Sequence, residues 1–81
     1  MIRFRLKELM AEKEFRENRV VTLAEVADGT GIHRVTLSKI ANNRGYHTST
    51  ELLDRLCAYF GCELGQVAVY IAEGSRSELV E

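Results

Sequence analysis

The side chains best suited to binding chemistry lie in the longest stretch of this chain that contains no acid. No Asp or Glu occurs between Asp28 and Glu51, whereas Arg34, Lys39 and Arg44 lie inside that window. The whole chain has a formal net charge of −1, so the window reverses the local sign of the charge. Cations and hydrogen-bonding groups without competing acids attract phosphate.

The rest of the chain makes the molecule polarised. Residues 1–19 carry a charge of +2, residues 20–28 of −2, residues 29–50 of +3 and residues 51–81 of −4. Such a molecule can be oriented on a phosphate surface even near zero net charge. The alternative is that the cations of the window form an ordinary solvated face.

Other kinds of site find little support in the sequence. His33 and His47 lack the spacing of a zinc finger with Cys57 and Cys62, and both are interpreted as surface residues rather than ligands or bases. The two cysteines are predicted to be buried, reduced thiols near the end of one helix. The chain has no glycine-rich phosphate loop and no nucleophile paired with a base. The sequence therefore predicts no enzyme, no metal and no cofactor.

Length and composition indicate the kind of domain that must position these residues. The chain has 81 residues, of which 46% are hydrophobic and 28% charged, as expected for one small globular domain. A core this thin would gain stability from a dimer partner or a ligand. No apolar run approaches the ~20 residues of a membrane span, and there is no signal-peptide pattern. The sequence predicts a cytoplasmic protein.

The N-terminal part predicts a short strand and a helix. Residues 2–5 alternate between apolar and charged, as in a strand. From Leu6, apolar residues recur at helical spacing, and this first helix is predicted to end near residues 14–15. A polar link follows, in which Val20 and Val21 return toward the core.

Two short helices around a tight turn are predicted next. Thr22 with Glu25 forms a capping box that begins the second helix. Gly29 and Gly31 are predicted to end it, since Gly31 suits the left-handed conformation of a sharp turn.

The third helix is predicted to begin at His33 or Arg34 and to have two faces. Its inner face carries Leu37, Ile40 and Ala41. Its outer face carries Arg34, Val35, Ser38, Lys39 and Asn42. Val35 is either a contact residue or simply a stray exposed apolar side chain.

The C-terminal half predicts one main core helix and a closing strand. Thr48 with Glu51 forms a second capping box at the start of this fourth helix, with Ser49 as the competing cap, and Gly61 ends it. Residues 64–68 predict a short helical turn, and residues 67–72 a strand that could pair with residues 2–5. Residues 1–73 would form the domain and residues 74–81 a polar, frayed tail.

This pattern resembles the helix-turn-helix domains of the lambda-repressor-like superfamily, of the Cro/C1 or Xre type. The residues that carry the resemblance are Val26, Ala27, Gly31, Ile32, Leu37 and Ile40. It covers roughly residues 5–72 and agrees with the predicted spacing, turn glycine and caps. The implied fold is mainly α: a compact domain of four to five helices with a helix-turn-helix, to which a small two-strand pairing of the chain ends could be added.

The resemblance implies that the third helix lies in the DNA major groove. The implied base contacts are Arg34, Val35, Ser38, Lys39 and Asn42. Arg34 could fork onto a guanine, and Val35 could pack on a thymine methyl group. At the first position of the second helix the family often has a Gln, where this chain has Leu23.

The resemblance also implies contacts with the DNA backbone. The implied phosphate contacts are Thr22, His33, Asn43, Arg44, Tyr46, Thr48 and Ser49. Thr22 offers a hydroxyl and the first amides of its helix, and the segment from Arg44 onward forms a second clamp. Tyr46 is equally open to a role at the edge of the core or in an interface.

The sequence and the resemblance together predict a sequence-specific DNA-binding transcription regulator. It would bind double-stranded DNA as a homodimer on a two-fold operator, as the small size and the family habit suggest. The alternative is a protein-interaction module, an antitoxin or adaptor, whose acidic C-terminal part binds a basic partner. The charge of −4 after residue 50 motivates this alternative.

Overall fold

Five helices and one two-stranded sheet make up the part of the chain that the computed structural model describes, residues 1–42 and 46–72. The elements in chain order are β1 (Ile2–Phe4), α1 (Leu6–Glu17), α2 (Leu23–Thr30), α3 (Arg34–Asn42), α4 (Thr50–Phe60), α5 (Leu64–Val67) and β2 (Ala68–Tyr70). The predicted mainly α fold is confirmed. The predicted contacts Asn43 and Arg44, and the predicted tail of residues 74–81, lie outside the described residues.

The sheet joins the two ends of the domain. β1 and β2 are antiparallel, with Ile2 opposite Tyr70. The pairing extends past the strands, where the backbone amide of Arg5 donates to the Val67 carbonyl at 2.7 Å. The predicted pairing of the chain ends is therefore confirmed.

One apolar core holds the helices together. Within the described residues, its buried side chains are Leu6, Leu9, Val21, Val26, Ile32, Leu37, Ile40, Leu56, Phe60 and Val67. Every helix contributes to this set, and burying a side chain of this kind is worth about 1.5–3 kcal/mol. None of the described helices has both the length and the apolar character needed to cross a membrane.

The first helix is longer than the sequence predicts. α1 continues to Glu17 and ends where Asn18 adopts a left-handed conformation with φ 55°. Lys13 Nζ lies 2.8 Å from a Glu17 carboxylate oxygen, a pair four residues apart that supports this last turn. The predicted end near residues 14–15 is wrong. The prediction used the apolar spacing alone, whereas a pair of charged residues stabilises the last turn.

The link after α1 buries one valine and exposes the other. Val21 is 3% exposed, whereas Val20 is 74% exposed. Neighbouring side chains of an extended segment point in opposite directions, so both cannot enter the core. The prediction that Val20 returns toward the core is wrong, and the prediction for Val21 is confirmed.

Gly29 does not end the second helix as predicted. α2 runs through it to Thr30, and Gly31, with φ 77°, forms the C-cap. Gly29 instead allows a close approach of two helices: a Cβ added there would lie 2.2 Å from Cε1 of Tyr59 on α4.

Ser49, the competing candidate, is the N-cap of α4. Its Oγ accepts a hydrogen bond of 3.2 Å from the Leu52 amide. The capping box predicted for Thr48 and Glu51 is wrong, because the helix starts one residue too late for it and Glu51 pairs with Arg55. The Thr48 Oγ1 is buried and has no hydrogen-bond partner within the described part of the chain.

Removal of the Ser49 hydroxyl and removal of the Thr48 hydroxyl are expected to have different effects on stability. Ser49→Ala removes the cap and is expected to lower the free energy of unfolding by about 1 kcal/mol. Thr48→Val keeps the shape and removes an unpartnered buried hydroxyl, so the free energy of unfolding should stay the same or rise by about 1 kcal/mol. Urea unfolding measures both. Equal losses for the two variants would contradict the assignment of the cap.

Candidate nucleic-acid interface

The turn between α2 and α3 is fixed by hydrogen bonds within its own residues. The Gly31 amide donates to the Ala27 carbonyl at 2.9 Å. The Thr30 hydroxyl donates to the Val26 carbonyl at 2.7 Å and accepts from the Ile32 amide at 3.2 Å. Because the polar groups of the turn are satisfied locally, the angle between the two helices is well defined.

Arg55 of α4 donates hydrogen bonds to the carbonyl groups of this turn. Its Nη1 lies 3.5 Å from the Thr30 carbonyl oxygen and 3.4 Å from that of Gly31, while Nη2 lies 2.7 Å from a Glu51 carboxylate oxygen. A cation at the C-terminal end of a helix is favourable, since the last carbonyls carry partial negative charge. α4 therefore helps to hold α2 and α3 in place.

α3 separates buried from exposed side chains as predicted. Leu37 and Ile40 are buried and anchor the helix in the core. Arg34, Val35 and Lys39 are exposed on the other side, and Val35 retains 62% of its surface. The helix therefore presents cations around one apolar contact surface.

Four of the five predicted base-contact residues line one depression of about 850 Å³ between α3 and the start of α2. Its lining residues are Thr22, Leu23, Ala24, Arg34, Val35, Ser38 and Lys39. We refer to this surface as the reading face. Thr22, predicted from the resemblance to contact phosphate, thus lies beside the side chains of α3.

Asn42, the fifth predicted residue, lies at the end of α3, outside the reading face. Its Nδ2 donates to the Ser38 carbonyl at 2.9 Å and to the Ser38 Oγ at 3.3 Å. The amide nitrogen is thus engaged, and within the described residues its carbonyl oxygen has no partner. Asn42 also lines a second depression of about 350 Å³ together with Arg3 and Lys7.

Among the residues that the structure describes, the cations of α3 differ from most other cations in having no ion-pair partner. Nine Lys and Arg residues are described, and five of them form salt bridges: Arg3, Arg5, Lys13, Arg19 and Arg55. Arg34 and Lys39 form neither a salt bridge nor a side-chain hydrogen bond within the described part of the chain. Their charges are therefore available to an anionic ligand.

Arg19 neutralises the acid closest to the start of α2. The Glu25 amide donates to Thr22 Oγ1 at 3.2 Å, which confirms the predicted cap. The Glu25 carboxylate does not complete the predicted capping box. It binds two guanidinium nitrogens of Arg19 at 2.8 and 2.5 Å instead, and these hydrogen bonds lower the pKa of Glu25. This exposed pair adds little stability but reduces the repulsion of an anion near Thr22.

The remaining predicted phosphate contacts differ in their access to solvent. His33 and Ser49 are exposed, and the His33 carbonyl accepts the first hydrogen bond of α3, from the Leu37 amide at 3.0 Å. Tyr46 is half-buried against the core, and the hydroxyl oxygen of Thr48 is buried. The side chains of His33 and Ser49 are thus accessible to a ligand. Tyr46 and the Thr48 hydroxyl face inward.

Lys7 is a candidate that the sequence reasoning missed. It is exposed, lies beside Asn42 in the second depression, and has no ion pair within the described residues. Local spacing carries no signal of this position, because it depends on the packing of α1 against α3. Glu8 also lines this depression but pairs with Arg3, so among the described residues Lys7 contributes one unpaired cation near the end of α3.

Cys57 and Cys62 lie close together, as predicted, but are half-buried rather than fully buried. The Cys62 amide donates to the Cys57 carbonyl at 3.0 Å across the left-handed Gly61. Burial, and secondarily Cys57, raises the pKa of the Cys62 thiol, which lowers its reactivity at neutral pH. No group of three or more potential metal ligands occurs among the described residues.

Comparison with known protein families agrees with this geometry. The sequence model of the Cro/C1-type helix-turn-helix DNA-binding domain matches residues 5–73. The chain therefore belongs to this family, and the resemblance predicted from its residues is confirmed. No curated protein sequence matches the chain in a direct comparison. Membership of the family supports a DNA-binding regulator in general.

Proposed function

We propose that this protein is a sequence-specific transcription regulator that binds a two-fold operator as a homodimer and reads the DNA major groove with α3. The observation that carries the proposal is the reading face, where Arg34 and Lys39, exposed and without an ion pair among the described residues, lie beside Thr22. Phosphate contacts supply most of the affinity of such proteins, and base-edge contacts supply the specificity. The proposal places the protein in the cytoplasm with its DNA and assigns it no catalytic role.

The side chains at the start of α3 suit the edges of base pairs. The guanidinium of Arg34 is planar and offers a fork of donors that fits the O6 and N7 atoms of guanine. The exposed Val35 suits the thymine methyl group, and Lys39 lies about one helical turn further along. Each good bidentate contact is worth about 1–3 kcal/mol of discrimination.

Asn42 is better suited to a base than to a phosphate. Its amide nitrogen already donates to Ser38, so the group left for DNA is the carbonyl oxygen. A phosphate has no hydrogen to donate, whereas the amino groups of adenine and cytosine do. We therefore keep Asn42 among the base contacts.

The proposed phosphate contacts include one residue of the reading face, Thr22. They are Thr22, His33, Asn43, Arg44 and Ser49, with Lys7 added. Thr22 and Ser49 each stand at the N-terminal end of a helix of at least eight residues, where free amides and the helix dipole favour an anion. Tyr46 and Thr48 are left out because the first packs against the core and the second has a buried hydroxyl.

Gel-shift titration of genomic DNA fragments over a range of salt concentrations tests this proposal. We expect some fragments to bind more tightly than others, and the logarithm of the affinity to fall with the logarithm of salt by about 0.9 per neutralised phosphate. Absence of binding at low salt, or equal binding of all fragments, would overturn the proposal.

The alternative role as an antitoxin or adaptor rests on the acidic C-terminal part. Asp54 and Glu63 are exposed there, without a salt bridge among the described residues, whereas Glu51 already pairs with Arg55. A stable stoichiometric protein partner in a pull-down, combined with no operator binding by the chain alone, would favour this role.

A further inference from the structure

The end of α4 is closed by a left-handed glycine that brings two cysteines together. Gly61 has φ 64°, and the amides of Gly61 and Cys62 both donate to the Cys57 carbonyl, the second at 3.0 Å. On a continuous helix, side chains five residues apart point about 140° away from each other. A hydrogen bond of this kind across a left-handed residue instead brings the first and last side chains of the turn into contact.

Cys57 and Cys62 share one environment at this turn. They are the two cysteines of the chain, and both are free, half-buried thiols that pack against the apolar core. Burial, followed by the neighbouring Cys57, raises the pKa of the Cys62 thiol, which agrees with their proximity. Arg5 and Glu12 also act on this thiol and pair with each other at 3.8 Å. Two adjacent thiols of this kind are the reactants of an intramolecular disulfide.

We infer that Cys57 and Cys62 are an oxidation site, at which a small-molecule disulfide such as oxidised glutathione converts them to an intramolecular disulfide. The thiolate of one cysteine attacks the small disulfide, forms a mixed disulfide and releases one small thiol. The second cysteine attacks the protein sulfur of the mixed disulfide and releases the other small thiol. The two protons of the protein thiols leave with the released thiols, and two electrons pass to the small disulfide.

The fold should favour this disulfide over the same disulfide in the unfolded chain. In the unfolded chain, bringing the two cysteines together costs loop-closure entropy, whereas the hydrogen-bonded turn at Gly61 is already closed. By linkage, folding stabilises the disulfide by as much as the disulfide stabilises the fold. We expect the equilibrium constant for oxidation by glutathione to be at least ~10-fold larger in the folded chain.

The disulfide is expected to stabilise α4 without altering the reading face. Neither cysteine lines the reading face, whereas Arg55 on the same helix binds the carbonyl groups of the turn before α3. The oxidised chain should therefore melt at a temperature several degrees above that of the reduced chain. Oxidation would thus strengthen the helix that holds this turn and leave the surface proposed to contact DNA unchanged.

Equilibration of the full chain in glutathione buffers of graded composition tests the inference. The tryptic peptide of residues 56–76 contains both cysteines, so its mass after acid quenching reports the product. An intramolecular disulfide removes two hydrogen atoms from this peptide and adds no glutathione. Half-oxidation is expected at a ratio of squared reduced glutathione to oxidised glutathione at least ~10-fold higher for the folded chain than for the chain in urea.

Cys57→Ser/Ala58→Cys is the matched control. It keeps two thiols at nearly the same separation in sequence, but Ala58 is exposed on α4 and lies about 100° around the helix from Cys57. This variant should show little or no difference between the folded and the unfolded chain. Circular dichroism checks that it folds, and the comparison within the parent chain decides the inference if it does not.

Other products of the parent chain would overturn the inference. These are glutathione attached to the cysteines without an intramolecular disulfide, a disulfide between two chains, or half-oxidation at the same glutathione ratio in the folded and the unfolded chain. A preference of the folded chain that Cys57→Ser/Ala58→Cys keeps in full would contradict the role of the turn at Gly61. None of these measurements involves DNA, so a failure of the proposed function is distinguishable from a failure of this inference.

Discussion

Arg34→Ala is expected to remove the preference for one base pair of the bound sequence and to weaken binding of the preferred site by about 1–3 kcal/mol, or roughly 5- to 150-fold. The guanidinium is exposed on the reading face and has no partner within the described residues, so its donors are available for a base edge. Arg34→Lys should not restore the preference, because an ammonium lacks the planar fork. Affinities for operator variants changed at single positions measure the effect.

Two matched arginines serve as controls for Arg34. Arg16 is exposed in the last turn of α1, has no salt bridge among the described residues and lines none of the depressions around α3, so Arg16→Ala should change affinity little. Arg44→Ala, at a proposed phosphate contact, should weaken all sequences alike and reduce the salt slope by about 1. If Arg34→Ala also weakens all sequences equally, the assignment of Arg34 to a base is wrong.

Gly29→Ala is expected to lower the free energy of unfolding by about 1–2 kcal/mol. The added Cβ would lie 2.2 Å from Cε1 of Tyr59, and overpacking of this kind costs about 1–3 kcal/mol. The Tyr59 ring has little freedom to yield, because it stacks edge-on against Phe60 at 5.0 Å and lies below Lys13 Nζ at 5.1 Å. The higher helix propensity of alanine offsets up to about 1 kcal/mol of the loss.

Gly65→Ala separates the clash from helix propensity. Gly65 also lies within a helix, but nothing approaches within 4 Å of its added Cβ, so this variant should keep or slightly raise stability. Removing the ring in Gly29→Ala/Tyr59→Ala should make the two losses less than additive. Thermal and urea unfolding of the parent chain, Gly29→Ala, Tyr59→Ala, the double variant and Gly65→Ala measure these effects. Equal stability of Gly29→Ala and the parent chain would contradict the close α2–α4 approach.

Signals that span one helix turn were sufficient to predict the helix-turn-helix from sequence. Thr22 reaches the amide three residues on, and Gly31 tolerates a left-handed backbone, so both positions are readable without a structure. The apolar spacing of Leu37 and Ile40 likewise determines which side of α3 faces outward. These local features are enough to tell which side chains of α3 face outward at the candidate site.

Features that depend on distant residues could not be predicted. Gly29 looks like a helix end until Tyr59 is placed against it, and Glu25 looks like half of a capping box until Arg19 binds its carboxylate. The position of Lys7 beside Asn42 requires the packing of two helices far apart in sequence. The apolar cleft lined by Ile2, Leu64 and Tyr70 similarly exists only once β1 and β2 have paired.

Selection of bound sequences from a random pool of double-stranded DNA tests the central claim most directly. The account predicts enrichment of one motif made of two inverted half-sites about 10–10.5 base pairs apart, centre to centre, and loss of one specified position in each half-site when Arg34→Ala is used. Enrichment of no motif over the starting pool, at salt concentrations where the protein binds DNA, would contradict it.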